Sequence, residues 1–133
     1  MFDEITVDSG SREELIDITS KVKSAINSNQ IKTSGILLIS SMHTTAGITV
    51  NESADPAVKS DIRNWLQRLI PQHNSFKHIE GNSDAHLKTS LIGPSVQIPI
   101  IDGKLILGTW QGIFFCEFDG PRKRKVKFTF TGE

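Results

Sequence analysis

The second half of the chain alternates apolar and polar side chains, and this period of two restricts the possible folds more than any other feature. Residues 96–100 alternate up to Asp102-Gly103, a dipeptide favoured in tight hairpin turns because both positions tolerate a positive φ. Residues 104–109 are predicted to return from this turn, residues 113–118 to form another strand, and residues 126–130 to alternate to the end. The pattern predicts an antiparallel meander.

The first half of the chain adds shorter strands. Residues 2–7 alternate loosely and predict a first strand, whereas residues 13–18 fit either a strand or the opening of a helix. Residues 35–39 form an uninterrupted apolar run of strand length, for which we predict a central strand that is buried on both faces. A second short strand is predicted around residues 47–50.

Two segments repeat apolar residues at helical spacing. The first begins at Thr19 and ends at residues 27–29. The second begins at Asp55-Pro56, because aspartate accepts hydrogen bonds from the first amides and proline fits the first helical position, and it ends before Pro71. Its predicted buried face consists of Val58, Ile62, Trp65, Leu66 and Leu69. We therefore predict one α+β domain over residues 1–133, with helices packed on one face of an antiparallel or mixed sheet.

Charge and cysteine content argue against several classes of protein. The 15 basic and 15 acidic residues cancel, so no net field draws the molecule towards nucleic acid or acidic membranes. The single cysteine, Cys116, cannot form an intrachain disulfide, and it alternates with phenylalanines, which predicts a core position. No apolar run approaches the roughly 18 residues that a membrane span needs. We predict a cytoplasmic protein with no nucleic-acid or membrane partner.

Three histidines lie beside small or polar residues and not in apolar runs. His43 follows the predicted buried strand at a point where side chains leave the core, and His78 and His86 lie in a short segment with two acids and an amide. Neutral imidazoles bind zinc and similar divalent ions, and a carboxylate can complete the ligand set or orient a ring. The pattern predicts a metal site on these histidines, although the spacing matches no standard zinc signature. Three surface histidines are the alternative.

The segment after Gly81 predicts a phosphate site. Asn82-Ser83 precede a short predicted helix over residues 84–88, capped by Ser83, and the first amides of a helix carry the positive end of its dipole. Lys88, one turn later, adds a positive charge. The alternative is a plain capped helix with an Asp84–Lys88 pair on the surface.

Glycines interrupt two strands around Trp110 and Gln111, which predicts a bulge or a close approach of a ligand. The indole offers a flat face to a heterocycle and the amide offers a donor and an acceptor. A bulged hairpin with a core tryptophan is the alternative. Residues 122–125 are basic, but Lys125 and Lys127 alternate with apolar residues, which predicts a solvated strand face or an edge protected against aggregation.

Three ordered motifs cover most of the chain from Gly35 to the C-terminus. The first comprises residues 43–47 (HTTAG) and 51–56, the second residues 78–88, and the third residues 95–122 with the segment LGTWQGI. Together they resemble the motifs of the YjbQ-like family, also called the secondary thiamine-phosphate synthase family.

The resemblance implies an α+β domain with an antiparallel sheet, a homotrimer, and a weak ability to join a pyrimidine diphosphate to a thiazole phosphate with release of pyrophosphate. It places the family's metal or active-site residues on His43, His78, Asp84 and His86. We predict a metal-dependent transferase acting on a small phosphorylated metabolite, with zinc or a similar divalent ion. The predicted catalytic residues are Asp84, Glu52 and Lys88, and the predicted substrate contacts are Asn82, Ser83, Thr44, Trp110 and Gln111. A non-catalytic binding module, or histidines that stabilise a subunit interface, are the competing hypotheses.

Overall fold

The computed structural model describes residues 1–73 and 75–133, which form two antiparallel sheets and three helices. The strands are β1 (Phe2–Asp8), β2 (Glu14–Asp17), β3 (Gly35–Ser41), β4 (Ala46–Glu52), β5 (Ser95–Ile101), β6 (Lys104–Leu105), β7 (Gln111–Glu117) and β8 (Lys123–Gly132). The helices are α1 (Thr19–Ser28), α2 (Pro56–Leu69) and α3 (Ser83–Ile92). One sheet has the order β1-β8-β3-β5-β6 and the other has the order β2-β7-β4. The predicted α+β class is confirmed.

Two apolar cores lie on the two faces of the three-stranded sheet. The main core lies between the two sheets and includes Leu37, Phe128, Phe115 and, from α1, Val22. A smaller core lies on the other face of the three-stranded sheet, where α2 and α3 pack against it through residues such as Leu66, Ala85, Phe114, Cys116 and Phe118. The predicted core position of Cys116 is confirmed, and burial raises the pKa of its thiol to about 12.

The strand that is buried on both faces is β7, and the prediction that assigned this property to residues 35–39 is wrong. β7 is the middle strand of the small sheet and contributes Phe115 to one core and Phe114 to the other. β3 alternates instead: Leu37 and Ile39 are fully buried, whereas Ile36 is 47% exposed. The cause is the layer order, since the described part of the chain covers only one face of the five-stranded sheet.

The start of α2 is confirmed, but most of its predicted buried face is exposed. The Ala57 amide donates to Asp55 Oδ1 at 2.9 Å, and Pro56 takes the first helical position. Of the five apolar residues only Leu66 is buried, while Trp65 is 56% and Leu69 is 67% exposed. The helix therefore presents an apolar surface that residues 1–73 and 75–133 do not cover.

The hairpin at Asp102-Gly103 is confirmed, with φ values of 50° and 76°, as a primed turn requires. Its return strand is shorter than predicted and ends at Leu105. The Ile106 amide still donates to the Pro99 carbonyl at 2.9 Å. Proline has no N–H to donate in return, so the ladder cannot continue with a full pair of hydrogen bonds. Among the described residues, no helix is long and apolar enough to cross a membrane.

Candidate functional site

Two of the predicted ligands, His78 and His86, lie against each other in an open groove. Their ring centroids are 5.2 Å apart and the planes are nearly perpendicular, at 86°. His86 projects from the first turn and a half of α3, and His78 precedes the helix. The groove has a volume of about 490 Å³ and is lined by Phe76, Lys77, His78, Ser83, His86 and Leu87. We call this region, with the start of α3, the groove end of the molecule.

The third predicted ligand, His43, lies elsewhere. It follows β3 and is half-buried, and its Nε2 accepts a hydrogen bond from the Lys125 amide at 2.8 Å. Burial lowers the pKa of His43, and the nearby Arg124 charge lowers it further. Across residues 1–73 and 75–133, no three histidine, cysteine or acidic side chains form a group that could hold a metal ion. One chain therefore does not bring the three predicted ligands together, and the metal stays a prediction.

A buried ionic network fixes the start of α3. Asp84 is fully buried and accepts two hydrogen bonds from the Arg12 guanidinium, at 3.0 and 3.1 Å. Lys88 is 1% exposed and donates to Asp84 Oδ2 at 3.0 Å and to Glu13. Burial alone would raise the pKa of Asp84, but the hydrogen bonds from Arg12 and Lys88 outweigh it and lower that pKa.

This network changes the roles of two predicted catalytic residues. The Asp84–Lys88 pair exists, but it is buried and not on the surface. Both oxygens of Asp84 are already bonded, and neither side chain lines the groove. A direct contact of Lys88 with a substrate phosphate is therefore not supported by its position. Both residues instead hold α3 against the turn between β1 and β2, and so position His86.

Asn82, and not Ser83, precedes the first turn of α3, and the helix runs on to Ile92. Asn82 makes no capping bond; its side-chain amide donates to Asp119 at 2.8 Å. Its Oδ1 is buried and has no hydrogen-bond partner among the described residues. Asn82 thus ties α3 to the turn after β7, while Ser83 lines the groove. Thr44 is exposed, next to His43.

A second buried network lies beside His43. Glu117, which is fully buried, accepts hydrogen bonds from Arg124 Nε at 2.8 Å and from the Ser9 hydroxyl at 2.7 Å. Arg124 also donates to Thr45 Oγ1 at 2.9 Å. Burial would raise the pKa of Glu117, but the hydrogen bonds, led by Arg124, lower it. The predicted solvated face is confirmed for Lys125 and Lys127, which are exposed, whereas Arg124 of the same basic run is 2% exposed.

Three predicted site residues, Glu52, Trp110 and Gln111, lie at the end of the three-stranded sheet that is opposite to Glu117. We call this region the Gln111 end. Glu52 pairs with Gln111 in the β4–β7 ladder, and Ala46 pairs with Glu117 at the other end. These seven residue pairs span about 20 Å. Trp110 is 62% exposed, so the alternative of a core tryptophan is wrong.

The Gln111 end has its own cavity, of about 620 Å³. Gln111 Oε1 accepts from the Gly108 amide at 2.7 Å, which holds the loop before β7 in a tight turn. The other wall is the start of α1, where Asp17 Oδ1 accepts from the Thr19 amide at 2.9 Å. Side chains of Lys23 and Ser53 complete the polar lining. Of the predicted site residues, His78, His86 and Ser83 therefore line the groove and Gln111 lines this cavity, whereas Glu52 and Trp110 line neither.

The sequence missed four residues that organise the groove end: Arg12, Glu13, Glu117 and Arg124. Arg124 shares the strand face of Val126 and Phe128, which are buried, and this parity was an available signal. No local pattern marks Arg12 or Glu13, because their partners are more than 70 residues away along the chain.

Comparison with known proteins agrees with the motifs. Residues 3–133 match the family described as UPF0047 protein YjbQ-like. The chain is 56% identical to UPF0047 protein MJ1081 of Methanocaldococcus jannaschii, covering 96% of this chain and 91% of that protein. It is 48% identical to UPF0047 protein YugU of Bacillus subtilis, covering 99% of this chain and 100% of the relative.

Solved structures show the same fold over almost the whole chain. A YjbQ/UPF0047-family protein from Clostridium acetobutylicum superposes with a TM-score of 0.92 at 48% identity, covering 97% of this chain and 99% of that one. APE1520 from Aeropyrum pernix superposes with a TM-score of 0.94 at 38% identity, covering 100% and 99%. The chain belongs to the YjbQ-like UPF0047 family.

Proposed function

We propose that the chain is a small-molecule transferase of the thiamine-phosphate-synthase type, which joins a pyrimidine diphosphate to a thiazole phosphate and releases pyrophosphate. The observation that carries the proposal is the contact between His78 and His86 in a groove that also contains Lys77 and the start of a helix. An aromatic wall, two imidazoles and a cation form a suitable surface for a phosphorylated heterocycle.

Each groove residue has a separate role in this proposal. Phe76 offers its ring to a heterocycle, and Lys77 with the first amides of α3 binds phosphate oxygens. A positive surface at that position stabilises the charge that grows on the departing pyrophosphate. His86, on the helix that Asp84 holds in place, accepts or donates a proton or a hydrogen bond at a ring nitrogen.

The metal requirement fits one chain incompletely. A catalytic zinc ion usually takes three protein ligands, whereas the described residues of one chain supply the two imidazoles of His78 and His86. Glu80 is the nearest carboxylate, with an oxygen 3.9 Å from His78 Nε2, and its side chain is 70% exposed. We propose that these residues contribute to a divalent-ion site, where an ion would neutralise phosphate charge.

The homotrimer is also part of the proposal. It is supported by large apolar side chains that the described chain leaves uncovered, among them Ile79 at 98%, Leu69 at 67%, Leu91 at 64% and Trp65 at 56% exposure. Apolar patches of this kind on a small domain often mark contacts between chains. Sedimentation of the purified protein should give three times the mass of one chain.

The direct test is incubation with the two precursors and measurement of thiamine phosphate and pyrophosphate, with and without added zinc. We expect stoichiometric product from the wild type, and a loss of at least about 100-fold for His78→Ala or His86→Ala if either side chain acts in the transfer step. His73→Ala is the matched control, because His73 is exposed and does not line the groove. Equal rates in all four proteins would contradict the proposed site.

The binding-module alternative predicts a different result from the same samples. It gives tight, saturable binding of a heterocyclic phosphate or a metal, without turnover, and this binding is lost in His78→Ala. Calorimetry with each precursor and elemental analysis of the protein therefore separate a binding protein from an enzyme.

A further inference from the structure

We propose that the site is formed between two copies of this chain, with the groove of one copy completed by the Gln111 end of the next. This inference rests on the proposed function, since it identifies where the remaining groups of that site come from. The starting observation is that the groove and the cavity at the Gln111 end share no lining residue. Asn82 anchors the start of α3 at Asp119, just past one end of the β4–β7 ladder, and the Glu52–Gln111 pair lies at the other end, about 20 Å along the sheet.

The groove is incomplete as a catalytic surface. Among the described residues its lining holds two imidazoles and Lys77 as titratable groups, and the carboxylate beside it, Glu80, is 70% exposed and lies at 3.9 Å from His78 Nε2. The acid that the sequence places next to the site, Asp84, is fully buried and bonded to Arg12. The Gln111 end supplies what is missing: the carboxylate of Glu52 together with the exposed amide of Gln111, neighbours in one ladder.

Both ends also carry apolar surface that the described chain leaves exposed. At the groove end Ile79 is 98% and Leu87 is 46% exposed, and at the Gln111 end Trp110 is 62% and Ile106 is 42% exposed. A tryptophan seated against these aliphatic side chains would remove apolar area from water on both copies. The indole would then lie beside the groove and form a second aromatic wall opposite Phe76.

The charges of the two ends favour this pairing. Lys77 lines the groove, whereas the cavity of the Gln111 end is lined by Asp17 and Lys23, and Glu52 lies opposite Gln111 in the ladder. None of these four belongs to an ion pair among the described residues. Because the two ends are different surfaces, the contact is head-to-tail, and head-to-tail contacts close into rings when the rotation allows it. In the proposed ring of three, every groove would be buried against the next copy.

Complementation between inactive variants tests the inference. One variant carries His78→Ala and His86→Ala, and the other carries Glu52→Gln and Gln111→Ala. A shared site predicts that each variant alone is inactive and that a one-to-one mixture, assembled by refolding together, regains about a quarter of wild-type activity, because random rings place two intact ends together at one contact in four. A mixture of the single variants His78→Ala and His86→Ala is the control and stays inactive, since both changes lie in the same half-site.

The outcomes separate the inference from the proposed function. An active wild type with an inactive mixture, or full activity in the Glu52→Gln, Gln111→Ala variant, overturns the shared site and leaves the transferase intact. An inactive wild type overturns the transferase, and oligomer mass then decides the contact itself. Ile79→Arg and Trp110→Asp should each convert the assembly to single chains, whereas Phe2→Ser, on edge strand β1, should not. A wild type that sediments as one chain, or unchanged mass in both variants, overturns the contact.

Discussion

The two ends of the three-stranded sheet are built from different interactions. The groove end is held by two buried networks, in which Asp84 and Glu117 are each fully buried and bonded to an arginine. The Gln111 end is held by backbone contacts and hydroxyl groups, and its largest side chain, Trp110, points mainly to solvent. The charges at the groove end therefore support the structure, whereas the residues at the Gln111 end are free to meet another molecule.

The two ends should therefore respond differently to substitution. Removing one partner from a buried ion pair leaves the other charge without compensation, which costs several kcal/mol. Truncating an exposed side chain usually changes stability by no more than about 0.5 kcal/mol. Substitutions in the two buried networks should thus lower stability and activity together, and substitutions of exposed side chains at the Gln111 end should lower activity alone.

The largest effect is expected for Arg124→Met. The change leaves the buried Glu117 carboxylate with only the Ser9 hydroxyl and the Asp119 amide, and we expect a loss of about 3–5 kcal/mol in the free energy of unfolding. Urea titration followed by tryptophan fluorescence measures it. The matched control is Lys125→Met, one residue further along β8, where the side chain is 59% exposed and its pair with Glu4 is worth at most about 1 kcal/mol. Similar losses in both variants would remove the distinction between the networks and the surface.

A smaller loss is expected for Lys88→Met. Arg12 still pairs with Asp84 in this variant, so the uncompensated group is mainly Glu13, and the cost should be about 1–3 kcal/mol. Adding Glu13→Gln should recover part of that loss, because it removes the unpaired charge. The single variant Glu13→Gln is measured alongside. If Glu13→Gln lowers the stability of Lys88→Met by as much as it lowers that of the wild type, the two residues contribute independently and the network is not coupled.

Acid should destabilise the groove end before the Gln111 end. The pKa values of Asp84 and Glu117 are lowered in the folded protein, so the unfolded chain binds protons more readily, and stability is lost as the pH falls from about 4.5 through the folded pKa values. Amide hydrogen exchange measures this order. For each segment, the opening rate at pH 3 is divided by its rate at pH 5, and this ratio should be larger for α3 than for the loop at residues 106–110. Uniform acceleration in both segments would be evidence against this order.

The smallest effect on stability is expected for Gln111→Ala, at no more than about 0.5 kcal/mol, combined with a large loss of thiamine-phosphate formation. The side chain is exposed and its one described bond is to the Gly108 amide within its own loop. Unfolding and activity are measured on the same preparation. A loss of stability above about 2 kcal/mol would show that Gln111 is structural, and the functional interpretation would not stand.

Local patterns in the sequence predicted the elements that local interactions determine. The Asp102-Gly103 turn and the Asp55-Pro56 helix start are confirmed because each depends on the backbone preferences of adjacent residues. The motifs also identified the family. What the sequence could not show is which faces are covered, and so the exposure of Ile36 and Trp65 was mispredicted.

The candidate site was predicted less well, for the same physical reason. Asp84, Lys88 and His86 were recognised as chemically important, but the burial of the first two depends on Arg12 and Glu13, which reach them from a turn about 70 residues away in sequence. Residue type alone does not distinguish a catalytic carboxylate from a structural one. The separation of Gln111 from the histidines is likewise set by strand register, which no single motif contains.

A distance measurement between copies tests the central claim, that the groove of one copy faces the Gln111 end of another. One batch carries a spin label at Glu80→Cys and the other at Thr109→Cys, exposed neighbours of Ile79 and Trp110 that leave those two contact residues in place. The native Cys116 is buried with a raised pKa and should stay unlabelled. Because each chain carries one label, every distance in mixed assemblies is between copies. We predict a distance well below the roughly 20 Å that separates the two ends within one chain. A shortest distance of about 20 Å or more, or no interaction between labels, would contradict the claim.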